Sequence, residues 1–394
     1  MKKILLGTTG LVGAALLATA ASADTPKVTL GGFSDFQAGY TNDDKDTGVR
    51  STGFRNDNTV TVKVDGKTSG GLGYGAEIDL QADATADVNN QGLNASRTFT
   101  YLEGNFGRVE LGSNKSVAAT QRIDASTIAV ATGGINGAWG DFVDGTGTTG
   151  KSNPTGSGQL LSAVSNHGFI TESKLTSELG SVNAVGDEST YNATKASYYT
   201  PKFAGFQAGV SYTPSLADRG QDIGRSDTTS VADVIDAGLG YEHAFGAYKL
   251  ALSGTYEHGA STNSTAGALG SDDINEYNVG GTVGFMGFSL AGSYGNYVNS
   301  GIAGVDGNYW TAGLGYAAGP VGLSATYLSS TLTGADGDNK FNNVVLGADY
   351  KLAPGLTPYA EVSFYDFNGA GAAAAASNFT NEGTTVILGT QVAF

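Results

Sequence analysis

Only a few side chains in this 394-residue sequence are of types that could act as catalytic groups. His258 lies three residues before Ser261, a pairing that could belong to a hydrolase in which the histidine activates the serine. No acidic partner or oxyanion-binding group can be assigned to this pair, so ordinary loop residues explain it better. The other two histidines, His167 and His243, are isolated, and the absence of cysteine excludes thiol chemistry. The sequence therefore predicts no enzymatic activity.

Two further patterns resemble binding motifs without completing them. Gly145-x-Gly147-x-x-Gly150 matches the dinucleotide-binding fingerprint, but it follows no predicted strand and opens no predicted helix. Acidic clusters that could bind Ca²⁺ at outer loops lie at Asp43-Asp44, at Asp272-Asp273, and at Asp336 with Asp338. None of these clusters spells a complete calcium loop, so we expect solvated loop charges there, with no cofactor.

The first 23 residues have the pattern of an export signal. Two lysines precede an apolar run that ends in Ala-Ser-Ala, which predicts a secretory signal peptide cleaved after Ala23 and a mature chain at 24–394. A membrane-spanning helix is the alternative, but the run is short and interrupted by Gly and Thr. Removal of the two lysines changes the formal net charge from −16 to −18, because 37 acidic residues then face 19 basic ones. Such acidity argues against nucleic acid as a partner.

The rest of the chain alternates apolar and polar residues with a period of two. In TVTVKVDGK (59–67), Val60, Val62 and Val64 share one face, and Lys63 lies on the other. Strict alternation of this kind predicts β-strands. Sixteen such segments can be read: 28–40, 58–66, 72–82, 96–102, 108–113, 194–200, 206–213, 233–242, 248–257, 276–285, 288–297, 308–317, 321–328, 341–350, 356–366 and 384–394.

Short and long connections alternate between these segments, as in a meander of hairpins with all tight turns at one end. Aromatic residues cluster at the strand ends, whereas the large aromatics of a soluble sandwich would lie mid-strand. Near the tight turns they are Phe203, Phe206, Phe245, Tyr248, Phe285, Phe288, Tyr350 and Tyr359. Near the long loops they are Tyr40, Tyr212, Tyr256, Tyr277, Tyr309, Tyr327, Phe341 and Phe367. Two aromatic girdles predict an all-β, antiparallel, up-and-down transmembrane barrel with a polar, water-filled interior.

Strand parity then assigns side chains to the lumen. By comparison with the apolar positions beside them, Lys63 and Arg108 are the basic candidates for the pore wall. Five further residues face the lumen by the same parity: Glu77, Asp79, Asp236, Lys249 and Glu361. Phe394 shares the lipid face of the last strand.

Several stretches resemble the general porins of Gram-negative outer membranes. ASRTFTYLEGNFGRVELGSNKS (95–116) resembles the strands that lead into the family's constriction loop, and YYTPKFAGFQAGVSYTP (198–214) resembles the strands that follow it. VVLGADYKLAPGLTPYAEVSFYDF (344–367) resembles its last hairpin. The resemblance implies a sixteen-stranded homotrimer in the outer membrane, in contact with lipid and lipopolysaccharide, for passive diffusion of ions and small hydrophilic solutes. It also implies that the terminal Phe394 is read by the barrel-assembly machinery.

The resemblance further implies that residues 114–193, here called loop 3, fold into the lumen and narrow it. Its acidic candidates are Asp124, Asp141 and Asp144, and its basic candidates are Lys115 and Arg122, which would join Lys63 and Arg108. Opposed charges across a narrow neck create a transverse field, and the net charge favours cations modestly. The sequence departs from the family at Arg97, which would face lipid if Phe99 and Tyr101 did so.

Alternatives remain at this stage. Residues 167–185 could form an extra hairpin, which would raise the strand number to eighteen. The channel could be specific for one solute, or the barrel could be an outer-membrane enzyme or a structural anchor.

Overall fold

The computed structural model describes residues 25–44, 50–82, 94–143, 193–216, 231–261, 272–298, 304, 306–334, 337–368 and 380–394. Sixteen strands in these ranges form one closed antiparallel sheet. In chain order, β1 to β16 are Lys27–Asp43, Thr52–Lys67, Gly73–Gln81, Asn94–Gly104, Gly107–Ser113, Thr194–Tyr199, Phe206–Ser215, Val231–Phe245, Tyr248–Ser261, Ile274–Phe285, Phe288–Val298, Asp306–Ala318, Val321–Gly334, Gly337–Tyr350, Leu356–Asn368 and Thr380–Ala393.

Every strand pairs with its neighbours in sequence, and β16 closes the ring by pairing with β1 from Phe33 opposite Ala393 to Asp43 opposite Gly383. The barrel prediction and the number sixteen are therefore confirmed. Residues 167–185, where the sequence left an extra hairpin open, lie outside the described residues, and β5 pairs directly with β6. Closure leaves no sheet edge with unpaired backbone groups, and a lipid environment requires such closure because it cannot form hydrogen bonds to those groups.

The tight turns have the geometry expected of short hairpins. Met286 and Gly287 join β10 to β11 with φ angles of 47° and 86°. Two successive positive φ angles are typical of a type I′ turn, whose twist matches that of the flanking strands. The strands extend beyond their predicted ends mainly on the side of the long loops. No helix in the described part of the chain is long and apolar enough to cross a membrane.

The two faces of the sheet have opposite character, as the period of two predicts. Outward positions carry exposed apolar side chains such as Leu239, Leu314 and Leu388, and Phe394 is 62% exposed on this face. Inward positions carry polar or charged side chains that are mostly buried, such as Gln37 and Glu361. The outward face thus suits lipid and the inward face suits water and the loop that it contacts.

Four aromatic residues assigned to the girdles face inward instead. They are Tyr309, Phe341, Phe367 and Tyr359, none more than 8% exposed. Phe341 stacks on Trp139 of loop 3, and Tyr359 donates a hydrogen bond to Asp35. Position near a strand end did not distinguish these rings from lipid-facing ones, because loop 3 provides a second apolar environment inside the barrel.

Arg97 does not face lipid, because the condition for that assignment, lipid-facing Phe99 and Tyr101, is not met. Phe99 and Tyr101 are 7% and 5% exposed, and the Tyr101 hydroxyl donates across β3 to Asp65 on β2. Arg97 therefore faces the lumen with them, where it pairs with Asp79. Thr98 and Thr100 occupy outward positions of β4, so this strand departs from the usual pattern by carrying aromatic rings toward the lumen and hydroxyl groups toward the outside.

Candidate functional site: a neck between loop 3 and one wall of the barrel

The described part of loop 3, residues 114–143, lies inside the barrel and follows its inner wall. It contains one short helix, α1 (Val117–Gln121), and three 3₁₀ helices, Ala125–Ile128, Gly134–Asn136 and Ala138–Phe142. The Ser116 side chain caps α1 by accepting from Ala119 N, and Asp124 caps the next helix by accepting from Ser126 N. These caps divide the loop into short rigid segments that can bend around the wall.

Backbone N–H groups of loop 3 donate to side chains on the inward face of six strands. The pairs are Val117 to Ser211, Ala118 to Asp236, Ile123 to Ser253, Ala125 to Thr311, Val130 to Ser324, Thr132 to Glu361, and Ile135 to Thr326, with donor–acceptor distances of 2.7–3.2 Å. Each bond contributes on the order of 1 kcal/mol. The loop backbone is therefore attached to the wall from β7 to β15.

Glycines let the loop approach this closely. A Cβ atom added at any of eight inward-facing glycines would contact loop 3 atoms; these are Gly39, Gly209, Gly238, Gly280, Gly313, Gly315, Gly322 and Gly347. At Gly280 the obstructing atom would be the carbonyl oxygen of Ile123, which is backbone and cannot rotate away. The wall thus combines small residues that leave space with hydroxyls and carboxyls that accept the loop's N–H groups.

Both ends of the described loop are attached to the barrel. The buried Lys195 ammonium on β6 donates to the carbonyls of Asn114 and Ala193, one on each side of the loop. At the other end, Trp139 stacks on Phe341 and Tyr365 with ring centroids 6.0 and 5.7 Å apart. These contacts fix where the loop surface lies in the lumen.

The far end of the loop also makes an ion pair across to β2. Asp141 Oδ2 lies 3.2 Å from Arg55 Nε, and Arg55 Nη1 lies 3.3 Å from Asp57 on the same strand. The Arg55 side chain is 33% exposed and Asp141 is 22% exposed, so both contact the lumen.

The wall from β2 to β5, which the described loop does not cover, carries a series of alternating charges. Arg97 donates to Asp79 through Nε at 2.7 Å and its Nη2 lies 3.7 Å from Glu77. Below it, Lys63 Nζ lies 3.5 Å from Asp65. The ion pairs of Arg97 and Lys63, together with the pairs of Arg108 described next, are here called the charged wall.

Arg108 completes the charged wall near the tight turns. Its Nε donates to Glu110 at 2.6 Å and its Nη1 to Glu103 at 3.0 Å. The guanidinium also lies over the Tyr101 ring, 3.9 Å from its centroid. The barrel therefore encloses a passage with the loop and Asp141 on one side and paired charges on the other.

Known proteins match both this architecture and the sequence. A family model described as Gram-negative porin matches residues 7–370. The chain belongs to the Gram-negative porin family. The family and the closed barrel together make it an outer-membrane channel protein.

Relatives of this porin cover the full chain. Uncharacterized proteins of Rickettsia conorii and Rickettsia typhi are 28% identical over 427 residues and 29% identical over 462 residues, covering 93% and 100% of both chains respectively. Among solved structures, an anion-selective porin from Comamonas acidovorans has a TM-score of 0.59 and 20% identity, covering 94% of this chain and all of that one. The trimer form of OmpT, an outer membrane protein of Vibrio cholerae, has a TM-score of 0.58 and 12% identity with the same coverage. These structures are evidence for the fold alone.

The candidate residues of loop 3 occupy different positions in the porin. Asp141 meets Arg55 at the lumen, and Lys115 is partly exposed where the loop leaves β5. Asp124 is only 2% exposed, and Arg122 lies 3.6 Å from it, so both pack between the loop and the wall. Asp144 lies outside the described residues.

The candidate residues of the strands also divide into two groups. Lys63, Arg108, Glu77 and Asp79 belong to the charged wall. Asp236 and Glu361 accept hydrogen bonds from loop 3 and are at most 1% exposed, so the loop separates them from the passage. Lys249 is exposed near the tight turns.

Sequence reasoning missed two arginines that face the lumen, Arg55 and Arg97. Arg55 has the same parity as Lys63 on β2, but it precedes the predicted start of that strand. Arg97 lies directly opposite Asp79 in the sheet, and this register was the signal that could have identified it. Pairing charges across neighbouring strands would have identified Arg97, whereas the partners of Arg55 are Asp57 on its own strand and Asp141 of loop 3.

Two ionisable groups of loop 3 have shifted pKa values. Burial raises the pKa of Asp141, the Arg55 guanidinium opposes this shift, and Asp57 reinforces it. Burial acts to lower the pKa of Arg122, but the negative charges of Asp124, Glu276 and Glu257 outweigh it and raise the pKa. Arg122 therefore remains charged although it is buried.

Metal binding has no support in the part of the chain that the structure describes, where no three His, Asp or Glu residues are grouped to hold an ion. Asp43, Asp272 and Asp273 make hydrogen bonds to nearby chain atoms. Asp336 lies outside the described residues.

Proposed function

We propose that this porin is a general diffusion channel for ions and small hydrophilic solutes, with a weak preference for cations and no enzymatic activity. The neck lies between loop 3 and the charged wall. Solutes cross it passively in water, and the transverse field between opposed charges orients dipolar solutes.

The pairing of charges at the neck is the observation that supports this proposal. Four cations, Arg55, Lys63, Arg97 and Arg108, lie within 4 Å of seven carboxylates. Each cation is already balanced by at least one carboxylate, and three negative charges remain in excess. A wall of this kind attracts cations without binding any one ion tightly. The anion selectivity named for the Comamonas porin is a property of that protein and is not expected here.

The long contact between loop 3 and the wall supports a channel that is constantly open. Seven backbone hydrogen bonds and the row of glycines hold the described loop against the barrel. The neck therefore keeps its width without a bound solute, as unspecific diffusion requires.

The proposal also covers export and assembly. The signal peptide would be cleaved after Ala23, and Phe394 would direct the chain to the barrel-assembly machinery. We propose a homotrimer surrounded by lipid and lipopolysaccharide, and the trimeric form of the Vibrio protein supports this state. Ca²⁺ at the outer loops stays a minor proposal.

Single-channel recording in a planar bilayer with a salt gradient tests the function. We expect ohmic conductance and a reversal potential of the sign for cation preference. Saturable conductance that a sugar or phosphate blocks would replace the proposal by a solute-specific channel, and absence of conductance would favour a structural anchor. Hydrolytic activity that is lost on changing His258, whose Nδ1 lies 3.0 Å from Asn275, would favour an enzyme.

A further inference from the structure

Three carboxyl groups lie side by side beneath the first part of loop 3. Glu257 on β9 is directly opposite both Asp236 on β8 and Glu276 on β10. All three side chains face inward, and none is more than 2% exposed. Like charges directly opposite each other destabilise a sheet, and burial away from water increases the cost. Three ionised carboxylates in this row, here called the carboxyl row, are therefore an unfavourable arrangement.

The surrounding charges do not balance the carboxyl row. Among the residues that the structure describes, the charged and titratable groups that face it are Arg122 and Asp124 of loop 3, Lys195 and Tyr199 of β6, Tyr297 of β11 and Tyr309 of β12. Together with Asp124, the row presents four carboxyl groups to two cations. Full ionisation would enclose two excess negative charges between the loop and the wall.

The carboxyl row is also in direct contact with the loop. Asp236 Oδ1 accepts from Ala118 N at 2.8 Å and from the Ser211 hydroxyl at 3.0 Å, and Ser211 Oγ itself accepts from Val117 N at 2.7 Å. Asp236 Oδ2 has no hydrogen-bond partner among the described residues. A change in the charge of the row therefore acts on the backbone of α1 without an intermediate.

We propose that the carboxyl row is a proton-binding site that couples the docking of residues 117–124 to pH. At neutral pH a proton is shared between neighbouring carboxyl groups, where one carboxyl O–H donates to the next carboxylate oxygen. At alkaline pH hydroxide removes this proton and becomes water, which leaves one more negative charge on the row. That charge is stabilised only if water reaches it. Because loop 3 excludes water from the row, water can enter only when α1 and Arg122 leave the wall.

Chemical labelling of Arg122 tests this proposal, because Arg122 is buried only while the loop is docked. The full chain, refolded in vesicles, is treated with phenylglyoxal, a small arginine reagent that passes through an aqueous pore. Mass spectrometry of the peptides gives the labelling of Arg122 relative to Arg108, which lies on the charged wall with 31% of its side chain exposed. The ratio corrects for the effect of pH on the reagent.

We expect little labelling of Arg122 at neutral pH and a ratio that rises by about tenfold per pH unit once the shared proton is lost. The variants E276Q and E257Q remove one charge from the row and should each keep Arg122 protected at alkaline pH. The control variant E382Q makes the same change at an exposed position of β16 and should follow the wild-type profile.

A ratio that does not change with pH in the wild-type chain would overturn the proposal, and so would an equal rise in wild type and both row variants. Heat-modifiable electrophoretic mobility shows whether each variant forms the barrel. If one row variant does not fold, the other provides the same comparison, and the wild-type profile needs neither.

Discussion

Loss of the Arg97 charge should make the channel more selective for cations. Arg97 is the cation that holds Asp79 and Glu77 on the charged wall, and its side chain is 27% exposed to the lumen. The variant R97Q keeps a side chain of similar length but leaves these two carboxylates without their guanidinium. The wall then carries one more uncompensated negative charge at the neck.

The size of the effect follows from the distance between this charge and a passing ion. An ion that crosses the neck about 4 Å from a unit charge gains about 1 kcal/mol at the dielectric constant of bulk water. This value is the appropriate one because the group faces solvent, and it corresponds to about a fivefold increase in local cation concentration. The same charge repels anions by a similar energy, so we expect the cation-to-anion permeability ratio to rise by up to about 25-fold at low salt, and less at molar salt because of screening.

The measurement is the reversal potential of single channels in a salt gradient at neutral pH. R97K keeps the charge and K340Q removes a charge at the outer end of β14, so both should resemble wild type. An unchanged reversal potential in R97Q would show that ions do not pass along the charged wall.

Three further predictions concern the loop and the terminus. G280L places a side chain against the Ile123 carbonyl, so we expect it to displace loop 3 and alter single-channel conductance, whereas wild-type conductance would show that the loop does not depend on this contact. Because burial raises the pKa of Asp141, this carboxylate should become protonated on acidification at a higher pH than an ordinary carboxyl group, and cation preference should fall at that pH. The variant D141N should show the lower preference already at neutral pH and should lack this titration step. Deletion of Phe394 removes a lipid-facing ring and two backbone hydrogen bonds to Gly32, so insertion into membranes should fall far more than the conductance of each channel. The variant F394A keeps the backbone hydrogen bonds and therefore isolates the effect of the ring. Equal insertion of the wild-type chain and both variants would contradict the assembly role.

The strands could be predicted from the sequence because the physical cause is local. Lipid on one side and water on the other impose a period of two on every strand, and each strand displays this period by itself. The same argument fails on β4, where Phe99 and Tyr101 face the lumen. Their environment depends on Asp65 of β2 and Arg108 of β5, so no pattern within β4 could show it.

The functional assignments in loop 3 could be predicted less well, because they depend on contacts between distant parts of the chain. Arg122 and Asp141 are charged residues of the same loop, and nothing in their local sequence separates them. The difference arises from the wall: the strands behind Arg122 carry Glu257 and Glu276, and the strand opposite Asp141 carries Arg55.

The inward glycines show that part of the path of loop 3 can nevertheless be predicted from the sequences of the strands. A glycine in a strand interior weakens the strand, so a glycine at an inward position needs a compensating contact. Here eight of those positions lie beneath loop 3, and polar residues beside them, such as Ser253 and Thr311, accept its N–H groups. A lumen-facing glycine next to a Ser or Thr two residues away, repeated on several strands of such a barrel, should therefore predict the path of an inserted loop. Gly280 and Gly313 with their hydroxyl-bearing neighbours meet this condition because the loop backbone fills the space that a side chain would otherwise take.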